Sequence, residues 1–224
     1  MPPELFRGYV DDFSQMLQRI RPRIQTVNFG CVGETTDTFI NGGCLYTAQG
    51  FELHNSYSGS QLGAAIEFLR VHPGRVSPIT FNLGSNDLNA LVTLCGSDFS
   101  CYQLHGPVFL NQIAANLDRI LDALRTGAPY SEIITFTNYS VAFLSDPRFL
   151  QLTNAFNAVV RATAATHGVR VADVFATFNG PPQPGTICAL TFICASGDSH
   201  PTDAGYQVIA DELWDASDYD RIRD

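Results

Sequence analysis

An α/β fold built on a parallel sheet is the expectation for this chain, and two observations carry it. Apolar, strand-like runs alternate with amphipathic helical stretches along 224 residues, and that alternation is the pattern of a parallel sheet covered on both faces by helices. The length is too great for one small domain and too small for two, so a single domain over residues 1–224 is expected. A chain of this size buries about 70% of its unfolded surface and needs no metal to hold a core.

The elements follow in order. Val10, Phe13, Met16, Leu17 and Ile20 recur at helical spacing and predict a helix over 9–20, ended by Pro22. Ile24–Phe29 reads as a strand and 42–59, rich in Gly, Tyr and polar residues, as a long loop. Gln61–Val71 reads as a helix closed by His72-Pro73-Gly74. Val76–Leu83 reads as a buried strand whose start Pro78 pushes towards an edge or bulge. Residues 88–106 read as irregular. Val108–Leu124 is an amphipathic helix with Ile113, Leu117, Ile120, Leu121 and Leu124 on one face. Glu132–Thr137 is a strand, Arg148–His167 a helix and Val169–Val174 a strand. Residues 175–199 read as a loop containing Pro181-Pro182-Gln183-Pro184, and Thr202–Ala216 as the last helix. No repeat, linker or low-complexity segment interrupts this order. Folds of this kind usually begin with a central strand; this chain begins with a helix.

Composition narrows the function. The net charge is −9 and all 13 basic residues are arginine, with no basic cluster, so nucleic acid and anionic membranes are disfavoured partners. No apolar run reaches transmembrane length. No Gly-x-Gly-x-x-Gly or Walker motif points to a nucleotide. Six cysteines allow 15 pairings. Their grouping as Cys31/Cys44, Cys95/Cys101 and Cys188/Cys194 makes three local disulfides and an oxidising compartment the simplest reading, against buried free thiols. No CxxC spacing and no suitably placed histidine suggest zinc, so no zinc site is expected. Closing the longer loop would contribute roughly 3 kcal/mol and each short one roughly 2 kcal/mol. Asn138-Tyr139-Ser140 is a glycosylation sequon of little weight. The start, Met1-Pro2-Pro3-Glu4, has neither the basic nor the apolar region of a signal peptide.

Three motifs carry chemistry. Gly33 ends a Gly-x-x-Gly turn after the first predicted strand, so its N–H could face a cleft at the strands' carboxyl ends. Asn86, in Gly84-Ser85-Asn86-Asp87, follows the next strand and offers a side-chain amide; Asn86-Asp87 also reads as a helix cap. A backbone N–H and an Asn amide together make an oxyanion hole. His200, fixed by Pro201, could take a proton from a serine. Tyr46, Phe51 and Tyr57 in the long loop read as loop anchors, with the lining of an acyl or glycan site as the other reading.

In this order, Gly33-Glu34-Thr35-Thr36, Gly84-x-Asn86-Asp87 and Asp198-x-His200-Pro201-x-Asp203-Ala204-Gly205-Tyr206 resemble the second, third and fifth sequence blocks of the SGNH (GDSL) hydrolases, over about Gly8 to Ala216. The three cysteine pairs resemble those of the secreted, disulfide-bonded esterases and lipases of that family. The resemblance implies a flavodoxin-like three-layer α/β/α fold and hydrolysis of a small-molecule, lipid or glycan ester through a serine. It assigns Gly33 and Asn86 to the oxyanion hole and His200 to the general base.

Two departures accompany it. The family's triad acid usually lies three residues before the histidine, where this chain has Gly197; Asp198 lies two before, so either Asp198 or a backbone carbonyl near 195–197 orients the ring. The first block, a strand ending in Gly-Asp-Ser, is missing ahead of the first helix. Gly197-Asp198-Ser199 adjoins the histidine, Ser14 sits inside a helical pattern, and Ser85 would crowd Asn86, so none is a credible nucleophile. The expectation is a serine esterase whose nucleophile and first central strand lie ahead of residue 1. The alternative is a non-catalytic relative whose pocket binds an ester or glycan.

Overall fold

The computed structural model describes residues 7–45 and 47–219, so Tyr46 lies outside it. The fold is α/β, as expected. Strands β1 (Ile79–Thr80), β2 (Ile133–Phe136) and β3 (Arg170–Ala172) form one sheet in the order β1-β2-β3. β2 and β3 run parallel, with Ile134 opposite Arg170, Thr135 opposite Val171 and Phe136 opposite Ala172. The connection from β2 to β3 runs through helix α6 (Phe149–Thr166), as a parallel crossover requires. All four residues of β2 are buried, which is why this strand reads as a continuous apolar run.

The chain divides into two compact units. The first takes in Met1–Thr26, Ile134–Asn157 and Arg170–Asp224. Its core joins Phe13 and Leu17 of α1 (Tyr9–Ile20) to Ile134 and Phe136 of β2. It continues through Val174 and Phe178 of α7 (Val174–Asn179), Ile187 of α8 (Gly185–Leu190) and Ile209, Leu213 and Trp214 of α10 (Asp203–Ala216). The second takes in Val27–Ile133 and Ala158–Val169. There α2 (Thr36–Asn41), α3 (Gln61–Val71), α4 (Ser85–Cys95) and α5 (Phe99–Gly127) pack together, burying Phe39, Ile40, Leu69, Leu91, Ile113, Leu117, Ile120, Leu121 and Leu124.

The predicted helices at 9–20, 61–71 and 202–216 are present, the last with Thr202 as its cap, its hydroxyl accepting the Gly205 N–H at 3.2 Å. Four expectations are corrected. Ile24–Phe29 joins no ladder: Asn28 N donates to the Asn55 side chain at 2.7 Å and its carbonyl accepts Asn55 N at 3.0 Å, so a loop holds it where a strand was expected. The Val76–Leu83 strand shrinks to Ile79–Thr80. Pro78 has no N–H to give, and the ladder begins with Ile79 N donating to Glu132 O at 2.8 Å.

Residues 88–106 are helical apart from the turn at 96–98, not irregular. Gly84 in the left-handed region (φ +105°) starts α4, and the Asp98 carboxylate starts α5 by accepting Ser100 N at 2.9 Å and Cys101 N at 3.4 Å. α5 therefore begins before Pro107 and runs through it, at the expense of one backbone hydrogen bond. Residues 175–199 hold most of α7, all of α8 and α9 (Ile193–Ser196); helices of four to six residues are too short to show a period.

The cysteines pair locally: Cys31–Cys44, Cys95–Cys101 and Cys188–Cys194, with Cα–Cα distances of 6.4, 5.3 and 5.3 Å. Cys31–Cys44 brackets α2, Cys95–Cys101 ties the end of α4 to the start of α5, and Cys188–Cys194 ties α8 to α9. Among the described residues no helix is long and apolar enough to cross a membrane.

Leu213 is fully buried in the first unit. Leu213→Ala should lower stability by about 2–5 kcal/mol through the cavity it leaves. The measurement is the urea midpoint at unchanged m-value. Leu104→Ala, at a side chain 71% exposed, should stay within about 0.5 kcal/mol.

Candidate active site

The sequence-predicted residues fall into two clusters, one in each compact unit. The first holds Gly33 and Asn86. The chain turns after Phe29, with Asn28 Oδ1 accepting Gly30 N at 2.8 Å and Glu34 N donating to Cys31 O at 3.3 Å. Gly33 takes a left-handed conformation (φ +75°) that a side chain would strain. Thr35 then caps α2, its hydroxyl accepting Thr38 N at 3.1 Å. Asn86 is the second residue of α4, where Gly84 serves as the cap, so Asn86 and Asp87 do not cap their own helix.

Asn86 Nδ2 donates to the Glu34 carbonyl at 3.0 Å, and Asn86 Oδ1 accepts Asn89 Nδ2 at 3.2 Å. One amide proton is thereby engaged and the second is left for a ligand. Asp87 instead reaches α2: its carboxylate accepts Thr36 N at 2.9 Å and Thr36 Oγ1 at 2.5 Å. Glu34 is buried, and burial pushes its carboxyl above the ordinary range. Burial, helped by Glu34, pushes the Tyr57 phenol up to about 12. Tyr57 packs edge-to-face on Phe29 with ring centroids 5.9 Å apart, so it does anchor the long loop. Cys31, Glu34 and Cys44 gather closely, but the disulfide consumes both thiols a metal would need.

The second cluster holds His200. Its Nδ1–H donates to Asp198 Oδ1 at 2.5 Å, and the same oxygen accepts His200 N at 2.9 Å. The carboxylate thus forms a local turn and orients the ring at once, and the Nδ1–H bond leaves Nε2 as the acceptor. The side chains are 62% and 35% exposed respectively, so solvent screens the pair. The His200 N–H, with a smaller contribution from the ring, holds the Asp198 carboxyl below the usual carboxylate range.

The loop carrying this pair is pinned from three sides. Phe192 N donates to His200 O at 3.0 Å and Thr202 N to Leu190 O at 2.9 Å, across a segment that Cys188–Cys194 closes. Tyr139 Oη, on a ring stacked 4.5 Å from Phe178, donates to Ser199 O at 2.8 Å. Gly205 lets α10 approach so closely that a Cβ there would run into the Leu190 carbonyl.

Sequence reasoning missed Asp87, Thr36, Tyr139 and Gly205. Asp87 and Gly205 lie inside the motifs, but nothing in the motifs says what they touch. Tyr139 lies in the sequon. Asn138 Nδ2 is buried, and both its backbone polar groups bond the Asn157 side chain at 2.8 and 2.9 Å, so the folded chain leaves no room for a glycan there. The decoy serines are placed as well. Ser14 lies on α1 with its hydroxyl 2.6 Å from Thr26 Oγ1, while Ser85 and Ser199 are exposed. Among the described residues, no serine hydroxyl bonds the His200 ring.

The sequence model of the GDSL-like lipase/acylhydrolase family matches residues 3–208. No curated protein sequence matches significantly. Among solved structures, the acetylxylan esterase Axe2 from Geobacillus stearothermophilus aligns at TM-score 0.62 and 19% identity, over 94% of this chain and 80% of its own. An α/β hydrolase from the metagenome of Lake Arreo, Spain, aligns at 0.61 and 19%, over 93% and 80%. An extracellular lipase from Streptomyces rimosus aligns at 0.56 and 19%, over 84% and 78%. At these identities the alignments establish the fold.

A carbon-13 titration of the Asp198 carboxyl should give a midpoint below 3.8. The sign follows: the depressed group contributes stability above its unfolded pKa and loses it as pH falls through its folded one. A midpoint at or above the ordinary value would remove the carboxylate from the His200 pair.

Proposed function

This chain belongs to the GDSL-like lipase/acylhydrolase family, and from that premise we propose that it is the body of a secreted serine esterase. Its substrate class is a carboxylic ester on a small molecule, glycan or lipid. His200 is the general base, Asp198 the group that orients it, and Gly33 N–H and Asn86 Nδ2–H the oxyanion donors. The observation that carries this reading is the pairing of His200 Nδ1 with Asp198, which leaves Nε2 free to accept a proton.

In the proposed cycle Nε2 takes the serine proton as the serine oxygen bonds the ester carbonyl carbon. The negative charge moves onto the carbonyl oxygen, where Gly33 and Asn86 receive it. The intermediate collapses, the C–O bond to the alcohol breaks, and the imidazolium gives its proton to the departing oxygen. Nε2 then takes a proton from water as the water oxygen bonds the acyl carbon; the acyl–serine C–O bond breaks, the imidazolium returns the proton to the serine oxygen, and the acid leaves. No metal or organic cofactor enters these steps.

The serine of this scheme is none of Ser14, Ser85 or Ser199. We assign it to a strand ending in Gly-Asp-Ser ahead of α1, following the family's first block. Secretion is supported by the three disulfides. The second reading, a non-catalytic ester- or glycan-binding relative, is favoured by the lack of any serine bonded to the His200 ring among the described residues.

A fluorophosphonate probe separates them. This chain should not label, whereas a chain extended by its upstream coding sequence should label at the added serine. Labelling of Ser14, Ser85 or Ser199 would overturn the assignment; an upstream sequence without the strand would favour the binding protein. In the labelled form, Asn86→Ala should cost about 10²–10³ in kcat with KM little changed.

A further inference from the structure

We propose that Asp87 and Thr36 are positioning residues that lock the two oxyanion donors in one register; this rests on the reading of Gly33 and Asn86 given above. The donors sit on separate segments. Gly33 belongs to the turn before α2 and Asn86 to the first turn of α4, and the contact between the two segments spans 52 residues of sequence. Oxyanion donors work only when held to within about 0.5 Å of their productive geometry. The Asn86 Nδ2 bond to Glu34 O is one link between the segments, but it is made by the very side chain that must hold still.

Asp87 makes the other link without spending a donor. Its two oxygens grip one residue, taking Thr36 N at 2.9 Å and Thr36 Oγ1 at 2.5 Å. Two bonds to a single residue fix orientation as well as distance. A relay from α5 sets the proton direction. Gln112 Nε2 donates to Asn116 Oδ1 at 3.0 Å, and Asn116 Nδ2 donates to Thr36 Oγ1 at 2.9 Å. With that lone pair occupied, the single hydroxyl proton of Thr36 points to Asp87. Thr36 is wholly buried, so water cannot replace a broken arm cheaply. The α2 turn, the α4 turn and α5 are thereby tied into one rigid body around Gly33 and Asn86.

The test uses the backbone amide of Gly33 and the side-chain amide of Asn86, followed by NMR in this chain. Asp87→Asn sets an NH2 against a donor, and Thr36→Val deletes the hydroxyl at nearly constant shape. Each should shift both signals and speed their hydrogen exchange roughly tenfold or more, while circular dichroism stays native. Thr36→Ser restores the hydroxyl and should restore both signals. In the serine-bearing protein, Asp87→Asn and Thr36→Val should lower kcat by up to about a hundredfold with KM nearly unchanged. Should Asp87→Asn fail to fold, Thr36→Val against Thr36→Ser decides. Unmoved Gly33 and Asn86 signals in a folded Thr36→Val variant would overturn the proposal. Should Asn86→Ala leave turnover intact while the NMR coupling is present, the oxyanion reading fails and the lock stands.

Discussion

Strand β2 has no face towards water, and much of the molecule is arranged around that fact. A fully buried strand must find partners for every N–H and C=O and apolar cover on both sides. β3 supplies a parallel ladder, and Ile134 and Phe136 enter the core that α1, α7, α8 and α10 complete. The obligation continues past the end of the strand. Thr137 N still bonds Ala172 O at 3.0 Å, and two asparagine side chains then imitate neighbouring strands. Asn157 serves both backbone groups of Asn138, and Asn179 both of Ser140 at 2.9 and 2.8 Å.

That continuation matters for the chemistry. It carries Tyr139 out of the sheet in a fixed direction, and Tyr139 holds the carbonyl of Ser199, next to His200. The His200 loop is held in turn by the Thr191–Pro201 bridge and by the disulfide at Cys188–Cys194. An exposed histidine is thus placed by bonds to the elements around it. In the other unit the same logic runs through Asp87 and Thr36, where a buried polar network fixes a turn that no regular strand supports. Gly33 and His200 sit on irregular backbone, so hydrogen bonds from neighbouring elements do what a ladder would otherwise do.

Much of the fold was legible because its helices are long and one-sided. Tyr9–Ile20, Gln61–Val71, Phe149–Thr166 and Asp203–Ala216 repeat an apolar stripe for three or more turns. The misses have separate causes. Leu88, Leu91 and Cys95 have helical spacing, but cysteines and a polar start disguised it, and Pro107 hid the true beginning of α5. Ile24–Phe29 has strand composition and no ladder, because composition reports what a residue prefers and not which neighbour is present. The helices at 174–196 are shorter than the period that would reveal them.

The sequence by itself determined the α/β class, the long helices, the local cysteine pairs and the residue types of the motifs, since these depend on spacing and on neighbours close along the chain. Tertiary structure alone decided that Asp198, two residues before the histidine, bonds its ring. It also decided that Asp87 serves α2 and not its own helix, and that Tyr139 and Gly205 set the His200 loop. The Asp87 and Tyr139 contacts join segments 51 and 60 residues apart, and even the Asp198 bond, two residues from its partner, depends on how its loop is held, which no local pattern encodes.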